Sequence, residues 1–304
     1  MKILITGANG FLGKACVQLF QNHPFEIIST DREGRVELLG DLSDASFVAT
    51  LPDVDAIIHC AAVQYVTKNI PFIFRENYFR KNNVIATQNL CSRYSNASTH
   101  FIHVGTSMMY KQTGLDLYDT TSPMGGEGVY SRSKVAAQSY VDNLPGSATV
   151  VPCIIGGEGR EGLFRGFVTM MKKYGVVLYP GQGQHKTHMV HVEDVASLIL
   201  TITKNRASGY FNAAAPDPLS ISEWVDQIQD VLKIPRVTRM TLPLMPIWIL
   251  SSMVGYRLLA REQLLMLKHP HVLDIERSIE IGWQPQYTNA QIVRDIAMHI
   301  GRSL

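Results

Sequence analysis

The chain has few cysteines and almost no net charge. Its 304 residues include four widely spaced cysteines with no Cys-x-x-Cys pair, so neither a metal site nor a disulfide framework is indicated. The formal net charge is +2 and no block of Lys or Arg occurs, so we expect no nucleic-acid partner. Widely spaced cysteines, and a first apolar run too short for a signal peptide, predict a cytoplasmic location.

The chain also lacks an unbroken apolar run of membrane-spanning length. The uncharged stretch 240–256 covers 17 residues and contains two prolines and one glycine, which is short and interrupted for a transmembrane helix. Two interpretations remain open. The stretch forms a buried helix or a partner-facing surface, or it forms the wall of a lipophilic pocket or a membrane-surface contact. A membrane is not among the partners that we predict.

Three glycines dominate the first thirteen residues, MKILITGANGFLG. The run Lys2 to Thr6 is typical of a buried strand, and an amphipathic helix is predicted from Phe11 to about Phe20. A glycine turn between strand and helix can hold a pyrophosphate against the helix N-terminus, although an ordinary βα turn is the alternative. The residues predicted to bind a dinucleotide here are Gly7, Asn9, Gly10, Phe11, Leu12 and Gly13.

Asp31 ends the second predicted strand, 24 residues after Gly7 and 18 after Gly13. A carboxylate at this distance can accept hydrogen bonds from the adenosine ribose hydroxyls of NAD. Arg32 follows and could pair with the 2′-phosphate of NADP. We therefore predict NAD as the cofactor, with NADP possible, and the alternative for Asp31 is a solvated charge at a strand end.

Two later strand ends carry further candidates. Gly40-Asp41-Leu42 follows a short predicted strand. By composition alone, Asp41 could cap a helix that starts near Ser43. The predicted strand Asp55 to His59 is followed by Cys60, Ala61 and Ala62, whose small side chains would let a cofactor approach the backbone. A long helix is predicted from about Phe72 to Tyr94. Strands and helices alternate to about residue 155, which indicates an α/β fold with a doubly wound parallel sheet.

Tyr130 and Lys134 form a Tyr-x-x-x-Lys pair that lies on one face of a predicted helix. A lysine ammonium beside a phenol lowers the tyrosine pKa, and such a phenol can exchange a proton with a carbinol or carbonyl oxygen. Thr106 or Ser107, after the fifth strand, could hold that same oxygen. Alone, the pair is weak evidence, because many surface helices contain this spacing.

In this chain order, the motifs together resemble the extended short-chain dehydrogenase/reductases, in particular the NAD-dependent epimerase/dehydratase family. TGANGFLG at 6–13 resembles the family's cofactor turn, and FIHVGTSMMY at 101–110 resembles the strand that carries its catalytic Ser or Thr. MVHVEDVA at 189–196 resembles a later family segment in which His191 and Asp194 are structural. The resemblance implies a catalytic set of Thr106, Tyr130 and Lys134.

The resemblance also implies roles for residues that spacing alone does not assign. It implies adenine contacts for Asp41 and Leu42 and substrate contacts for Thr106, Ser107 and Met108. It adds a group of further cofactor-binding residues, which are Asn83, Tyr130, Lys134, Pro152 and Ile155. It implies a dinucleotide-binding domain at 1–155, with some later segments returning to it, a smaller mixed substrate lobe at 156–304, and a homodimer packed through helices near 72–94 and 130–143.

Two departures from the family pattern affect the substrate. The text Val151-Pro152-Cys153 lacks the arginine that often precedes this proline, and Met108-Met109 replaces an aromatic and a small residue. We therefore predict an NAD(P)-dependent oxidoreductase that moves a hydride between nicotinamide and a carbinol or carbonyl carbon of a small molecule. The alternatives are a sugar-nucleotide epimerase or dehydratase that retains NAD, and a non-catalytic dinucleotide sensor.

Overall fold

The computed structural model describes residues 1–65, 70–71, 74–96, 98–253 and 260–304. The strands in this part of the chain are β1 Lys2–Thr6, β2 Glu26–Asp31, β3 Leu38–Leu39, β4 Ala56–His59, β5 His100–Val104, β6 Ala148–Pro152, β7 Ile154–Gly156, β8 Val176–Pro180, β9 Met189–His191, β10 Gly209–Ala213 and β11 Thr238–Leu242. The α-helices are α1 Phe11–Phe20, α2 Ala45–Ala49, α3 Arg75–Phe79, α4 Ala86–Arg93, α5 Val129–Val141, α6 Gly162–Tyr174, α7 Val192–Asn205, α8 Ile221–Val231, α9 Leu244–Met253, α10 Arg261–Lys268, α11 Glu276–Glu280 and α12 Asn289–Ser303.

A seven-stranded parallel sheet forms the centre of the molecule, in the order β10-β6-β5-β4-β1-β2-β3. Its strands are apolar and mostly buried on both faces, as expected for a sheet covered by helices on each side. The order of β3 to β6 is that of a doubly wound dinucleotide-binding fold, in which ligands bind beyond the carboxyl ends of the strands. The predicted α/β, Rossmann-like fold is confirmed.

The predicted long helix before β5 is interrupted. The helical region begins at Arg75, while Phe72 and Ile73 lie outside the described residues. Between α3 and α4, residues Arg80–Ile85 form a π-helix, which places one more residue in each turn than an α-helix does. Sequence patterning does not predict this change, because hydrophobic spacing of 3.6 residues does not distinguish a short π-helical turn from the helix around it.

A second apolar core lies outside the main sheet. It is formed by side chains of α6, α8 and α12 packed around β8, and includes Phe164, Phe167, Trp224 and Ile296. Two small parallel sheets, β7 with β9 and β8 with β11, accompany it. β10 returns to the edge of the main sheet beside β6. The boundary at residue 155 stays a prediction.

The described part of the uncharged stretch 240–256 forms the end of β11 and the helix α9, and its residues 254–256 lie outside the described residues. Met245, Ile249, Leu250 and Met253 are exposed. The interpretation as a buried helix is therefore wrong for α9, and the other interpretations remain open. None of the described helices combines the length and the apolar character needed to cross a bilayer.

Candidate active site

The glycine turn after β1 leaves no room for larger residues. Gly7 has φ +67°, and a Cβ on it would lie 2.7 Å from the Ala61 backbone. A Cβ on Gly13 would lie 2.0 Å from the Gly7 oxygen, so α1 packs directly on the turn. Gly10 is the N-cap of α1 and brings no side chain to cap its amides. The N-terminus of α1 is thus shaped for an anion held by backbone N–H groups.

Asp31 and Asn9 connect the glycine turn to the end of β2. The Asn9 amide N–H donates to Asp31 Oδ2 over 2.9 Å, and Asn9 Nδ2 donates to the Glu33 carbonyl over 2.7 Å. Arg32 is exposed and its Nη1 donates to Asn82 Oδ1 over 2.9 Å. The structure therefore brings Asp31 beside the predicted pyrophosphate turn and places the Arg32 guanidinium at its outer edge.

Asp41 lies on the same edge but does not cap a helix. The N-cap of α2 is Asp44, which accepts from the Ser46 amide over 2.9 Å, so the cap alternative for Asp41 is wrong. Asp41 instead accepts from the Ser43 amide and pairs with Lys81 Nζ at 3.2 Å. Burial raises the pKa of Asp41, but the Ser43 hydrogen bonds and Lys81 outweigh it and hold this pKa below its usual range.

Asn83, in the π-helix, holds together the parts of the site after β4. Its Oδ1 accepts from the Val63 amide over 2.8 Å, and its Nδ2 donates to the Val63 carbonyl and to Ser133 Oγ. Asn83 is buried. It therefore fixes the backbone after the small residues Cys60, Ala61 and Ala62 against α5, and its amide group is already engaged by protein.

The other predicted cofactor residues lie in strands, at strand ends or in the segments that follow them. Leu42 is buried and its carbonyl accepts from Asn89 Nδ2 over 3.0 Å. Cys60 is partly exposed, Ala62 is exposed and Cys16 is buried. Pro152 ends β6, and Ile155 pairs with Val190 between β7 and β9. The Arg160 guanidinium lies over the Phe11 ring, with Arg160 Cζ 5.5 Å from the ring centroid.

Thr106 and Tyr130 meet at the carboxyl end of β5. Both side chains are buried, and the Thr106 hydroxyl lies near enough to the Tyr130 phenol to lower its pKa. Gln64 and the Arg160 guanidinium also lie near the phenol and favour the phenolate. Burial nevertheless dominates and raises the pKa of Tyr130 to about 12. Sequence reasoning missed Gln64 and Arg160, because neither belongs to a motif and both reach the phenol from loops.

Lys134 lies on the same helix as Tyr130 but is directed into the sheet. Its Nζ donates to the Val104 carbonyl over 2.7 Å and lies 3.1 Å from His103 Nε2. Burial lowers the pKa of Lys134 to about 7. The prediction that Lys134 lowers the pKa of Tyr130 is therefore wrong for this structure, since the ammonium finds its acceptors on β5 and the Tyr130 pKa is raised.

The side chains of Ser107 and Met108, which follow Thr106, make contacts in different parts of the molecule. Ser107 Oγ lies 2.7 Å from His271 Nε2, so Ser107 is bonded to the C-terminal part rather than to Tyr130. The Met108 side chain joins a small apolar cluster with Val63, Phe79, Tyr130 and Met266. Of the predicted substrate residues, Thr106 and Met108 thus lie beside the Tyr130 ring, and Ser107 is held away from it.

The N-terminus of α5 is completed by a residue that the sequence did not single out. Glu262, at the start of α10, accepts from the Ser131 amide over 3.0 Å and from Ser131 Oγ over 2.9 Å. A cavity of about 150 Å³ lies beside it, lined by aromatic residues that include Tyr65 and Tyr130 and by charged residues that include Arg132. The carboxylate supplies the helix cap that Gly128, the N-cap residue, cannot provide.

His191 and Asp194 have the structural roles that were expected. His191 is the N-cap of α7 and its Nδ1 accepts from the Glu193 amide over 3.3 Å. The Asp194 carboxylate accepts from the backbone amides of Gln286 at 2.8 Å and Tyr287 at 3.1 Å. Both side chains tie the C-terminal segment to α7.

The family model of the NAD dependent epimerase/dehydratase family matches residues 3–214. The chain belongs to this family. The predicted relationship is therefore confirmed, and a nicotinamide dinucleotide is confirmed as the class of cofactor that the family uses.

Individual relatives are distant. The chain is 22% identical to dTDP-D-glucose 4,6-dehydratase from Mus musculus over 76% of this chain and 73% of that protein. It is 24% identical to Epimerase family protein SDR39U1 from Homo sapiens over 93% of this chain and 95% of that one. The structure of DesIV, a dTDP-glucose 4,6-dehydratase from Streptomyces venezuelae with NAD and TYD bound, superposes with a TM-score of 0.77 at 22% identity, covering 98% of this chain and 96% of that chain. These likenesses support the fold.

Proposed function

We propose that this protein is an NAD(P)-dependent oxidoreductase that moves a hydride between nicotinamide and a carbinol or carbonyl carbon of a small molecule. The observation that carries the proposal is the pair of neighbouring, buried side chains of Thr106 and Tyr130, which meet after β5. Their two hydroxyls lie close together beyond the carboxyl end of a strand in a dinucleotide-binding sheet.

The residues present fit a dinucleotide. The pyrophosphate would lie on the N-terminus of α1, where Gly7 and Gly13 permit the close backbone approach. Asp31 has its carboxylate beside this turn, where it would accept from a ribose hydroxyl. When bound, nicotinamide accepts or supplies the hydride.

The side chains supply orientation and proton transfer. Tyr130 gives a proton to the substrate oxygen during reduction and accepts it during oxidation, and Thr106 orients that oxygen through its own hydroxyl. An ammonium has three N–H donors, and Val104 and His103 engage two of those on Lys134. The third remains for a hydroxyl of the nicotinamide ribose.

The surroundings of Tyr130 favour a substrate with an apolar part. The cluster of Val63, Phe79, Met108 and Met266 packs against the ring, and neither Met108 nor Met109 can exchange a proton. Loss of water from a sugar would need an acid in addition to Tyr130, whereas reduction of a ketone does not. We therefore propose lipophilic alcohols and ketones as the first substrates to screen.

Replacement of Tyr130 by Phe tests this mechanism. With a ketone found by screening against NADH and NADPH, Tyr130→Phe is expected to lower kcat by at least about 100-fold, because a positioned acid–base group contributes roughly that much. NADH affinity, measured by calorimetry, should stay within about threefold of the parent. Tyr110→Phe is the matched control, since this buried tyrosine bonds Asn212 instead. An unchanged kcat in Tyr130→Phe would refute the mechanism.

A sugar-nucleotide epimerase or dehydratase that retains NAD is the second candidate, favoured by the names of the mouse and Streptomyces relatives. Purified protein should then contain NAD, which acid release and absorbance would detect. Protein that is empty of nucleotide but binds NAD reversibly would favour the oxidoreductase. Protein that binds NAD but shows no turnover in either screen, even with Thr106, Tyr130 and Lys134 intact, would favour the dinucleotide sensor.

Assembly and location complete the proposal. We propose a homodimer packed through α3, α4 and α5, as the family resemblance implies, and light scattering would measure its mass. We also propose a cytoplasmic location, which agrees with four cysteines that are all free thiols in the structure.

A further inference from the structure

The lysine of the proposed catalytic set has an unusual buried partner, His103 in β5. The His103 side chain is fully buried, and Lys134 is 2% exposed. The Nε2 atom of His103 lies 3.1 Å from Lys134 Nζ, and the Val104 carbonyl takes a second hydrogen bond from the same ammonium. Such a buried cation needs acceptors within the protein, because water cannot reach it.

The chemistry of the two groups fixes the direction of their hydrogen bond. In its charged form Lys134 only donates, so beside the ammonium His103 Nε2 is the unprotonated ring nitrogen and the ring proton sits on Nδ1. Burial holds the pKa of His103 well below its usual range, which agrees with a neutral ring. Among the described residues, His103 Nδ1 has no hydrogen-bond partner. The hydrogen bond with Lys134 is therefore the polar contact that orients the His103 ring.

A second histidine supports this ring from the neighbouring strand. The rings of His59 and His103 have centroids 5.3 Å apart. His59 is itself fixed between two hydroxyls, with Nδ1 at 2.7 Å from Thr6 Oγ1 and Nε2 at 2.9 Å from Thr87 Oγ1. Apart from these two rings, the titratable group that faces Lys134 is Cys60, at the end of β4.

We propose that His103 is a positioning residue that holds Lys134 so that one N–H remains directed to the cofactor. The proposal rests on the proposed function, in which Lys134 binds the nicotinamide ribose. Without the His103 imidazole, two of the three N–H donors of Lys134 would be free, and the Val104 carbonyl would still accept from the third. Several orientations of the ammonium would then compete. Cofactor affinity would therefore fall although no cofactor-contacting group had been removed.

Three variants and one control test this role with NADH as the probe. His103→Phe fills the space without an acceptor and is expected to weaken NADH binding five- to tenfold by calorimetry. His103→Gln keeps a neutral acceptor and is expected to recover most of that loss. Lys134→Met tests the lysine itself. His100→Phe is the matched control, because His100 is buried in the same strand and bonds the Ala207 carbonyl rather than Lys134. Its NADH affinity should match that of the parent.

Two spectroscopic measurements separate positioning from general packing. In ¹³C-labelled lysine spectra, the Lys134 resonance, assigned through Lys134→Met, should titrate at lower pH in His103→Phe, since the charged form has lost an acceptor. In the parent protein, ¹⁵N spectra should show His103 with a bare Nε2. This second measurement needs no variant, so it stands even where His103→Phe fails to fold.

The outcomes are distinguishable. An Nε2–H tautomer of His103 in the parent would overturn the proposal, as would NADH binding by folded His103→Phe within twofold of the parent. If Lys134→Met binds NADH as tightly as the parent, the ribose role of Lys134 in the proposed function has failed instead.

Discussion

Asp31 and Arg32 are adjacent residues with opposite preferences at the adenosine ribose. A carboxylate favours free ribose hydroxyls, whereas a guanidinium favours a 2′-phosphate. The Asp31 carboxylate accepts from the Asn9 amide and, through Oδ1, from the Arg32 amide over 2.7 Å, which fixes its position beside the turn. A carboxylate so fixed attracts ribose hydroxyls and repels a 2′-phosphate. The Arg32 guanidinium lies farther out and is bonded to Asn82. This geometry favours NAD.

Replacing Asp31 with Ser should therefore change the preference between the two cofactors. We expect NAD affinity to fall about tenfold, because hydrogen bonds to a charged group contribute about 1.5–3 kcal/mol each. NADP affinity should rise, since Arg32 remains and the repulsion is gone. Calorimetry with both nucleotides measures the ratio. Asp53→Ser is the control, as Asp53 is exposed and pairs with Arg93. An Asp31→Ser protein with an unchanged NAD to NADP ratio would contradict the assignment.

The sequence predicts single residues well where their role depends on local spacing. Gly7, Gly10 and Gly13 could be assigned because a turn between strand and helix demands glycine at close approach. Tyr130 and Lys134 could be placed on one helical face from their separation alone. The acceptors of Lys134 could not, because they depend on which atoms of β5 lie under α5, and hydrophobic periodicity does not specify that distance.

At the scale of elements, the π-helix explains how three consecutive residues serve the same site. Lys81 pairs with Asp41, Asn82 accepts from Arg32, and Asn83 holds Val63 and Ser133. In an α-helix, successive residues point about 100° apart, and a wider turn reduces this angle. The π-helix therefore lets one short segment bond both to the segments after β2 and β3 and to α5.

The N-terminus of α5 depends on an element far along the chain. Glu262 lies 131 residues from Ser131 and is 5% exposed. A Cβ on Gly128 would lie 2.0 Å from Glu262 Oε2, so the glycine makes space for the carboxylate. A sequence motif cannot show this cap, because the capping side chain is not adjacent to the helix that it caps. The contact links the start of α10 to the helix that carries Tyr130.

Glu262→Ala should consequently destabilise the protein more than an ordinary surface change. Loss of the cap and of its charge at the positive end of α5 should lower the free energy of unfolding by about 2 kcal/mol. Glu262→Gln should lose less, because its amide oxygen still accepts from Ser131. Urea unfolding measures each value. Glu280→Ala, at an exposed glutamate that ends α11, is the control. Equal stability of Glu262→Ala and this control would contradict the capping role.

At the scale of the whole molecule, several histidines are buried in neutral form. Burial lowers the pKa of His59 to about 3, and those of His188 and His271 to about 4. These rings come from β4, from the segment before β9 and from the segment after α10, and each bonds a hydroxyl or a backbone amide. The described core is therefore held partly by imidazoles that must stay uncharged.

This arrangement makes stability fall as pH falls below about 6.5, the usual pKa of histidine in an unfolded chain. The folded pKa values are depressed, so at pH 5 the unfolded chain binds protons that the folded one does not, and acid favours unfolding. Each of the three groups should contribute about 2 kcal/mol of destabilisation between pH 7 and pH 5. A domain stable by about 5–15 kcal/mol would lose much of its stability in this interval.

Urea unfolding at pH 7 and pH 5 tests the effect, and His271→Gln assigns it. The variant removes one titrating ring from the pair with Ser107, so its loss of stability between the two pH values should be smaller than that of the parent by about 2 kcal/mol. His185→Gln, at an exposed histidine, should lose as much as the parent does. If His271→Gln also loses as much as the parent, buried neutral histidines are not the cause of acid unfolding. The lowered carboxylate pKa of Asp41 acts only at lower pH, so Asp41 does not contribute to the loss of stability between pH 7 and pH 5.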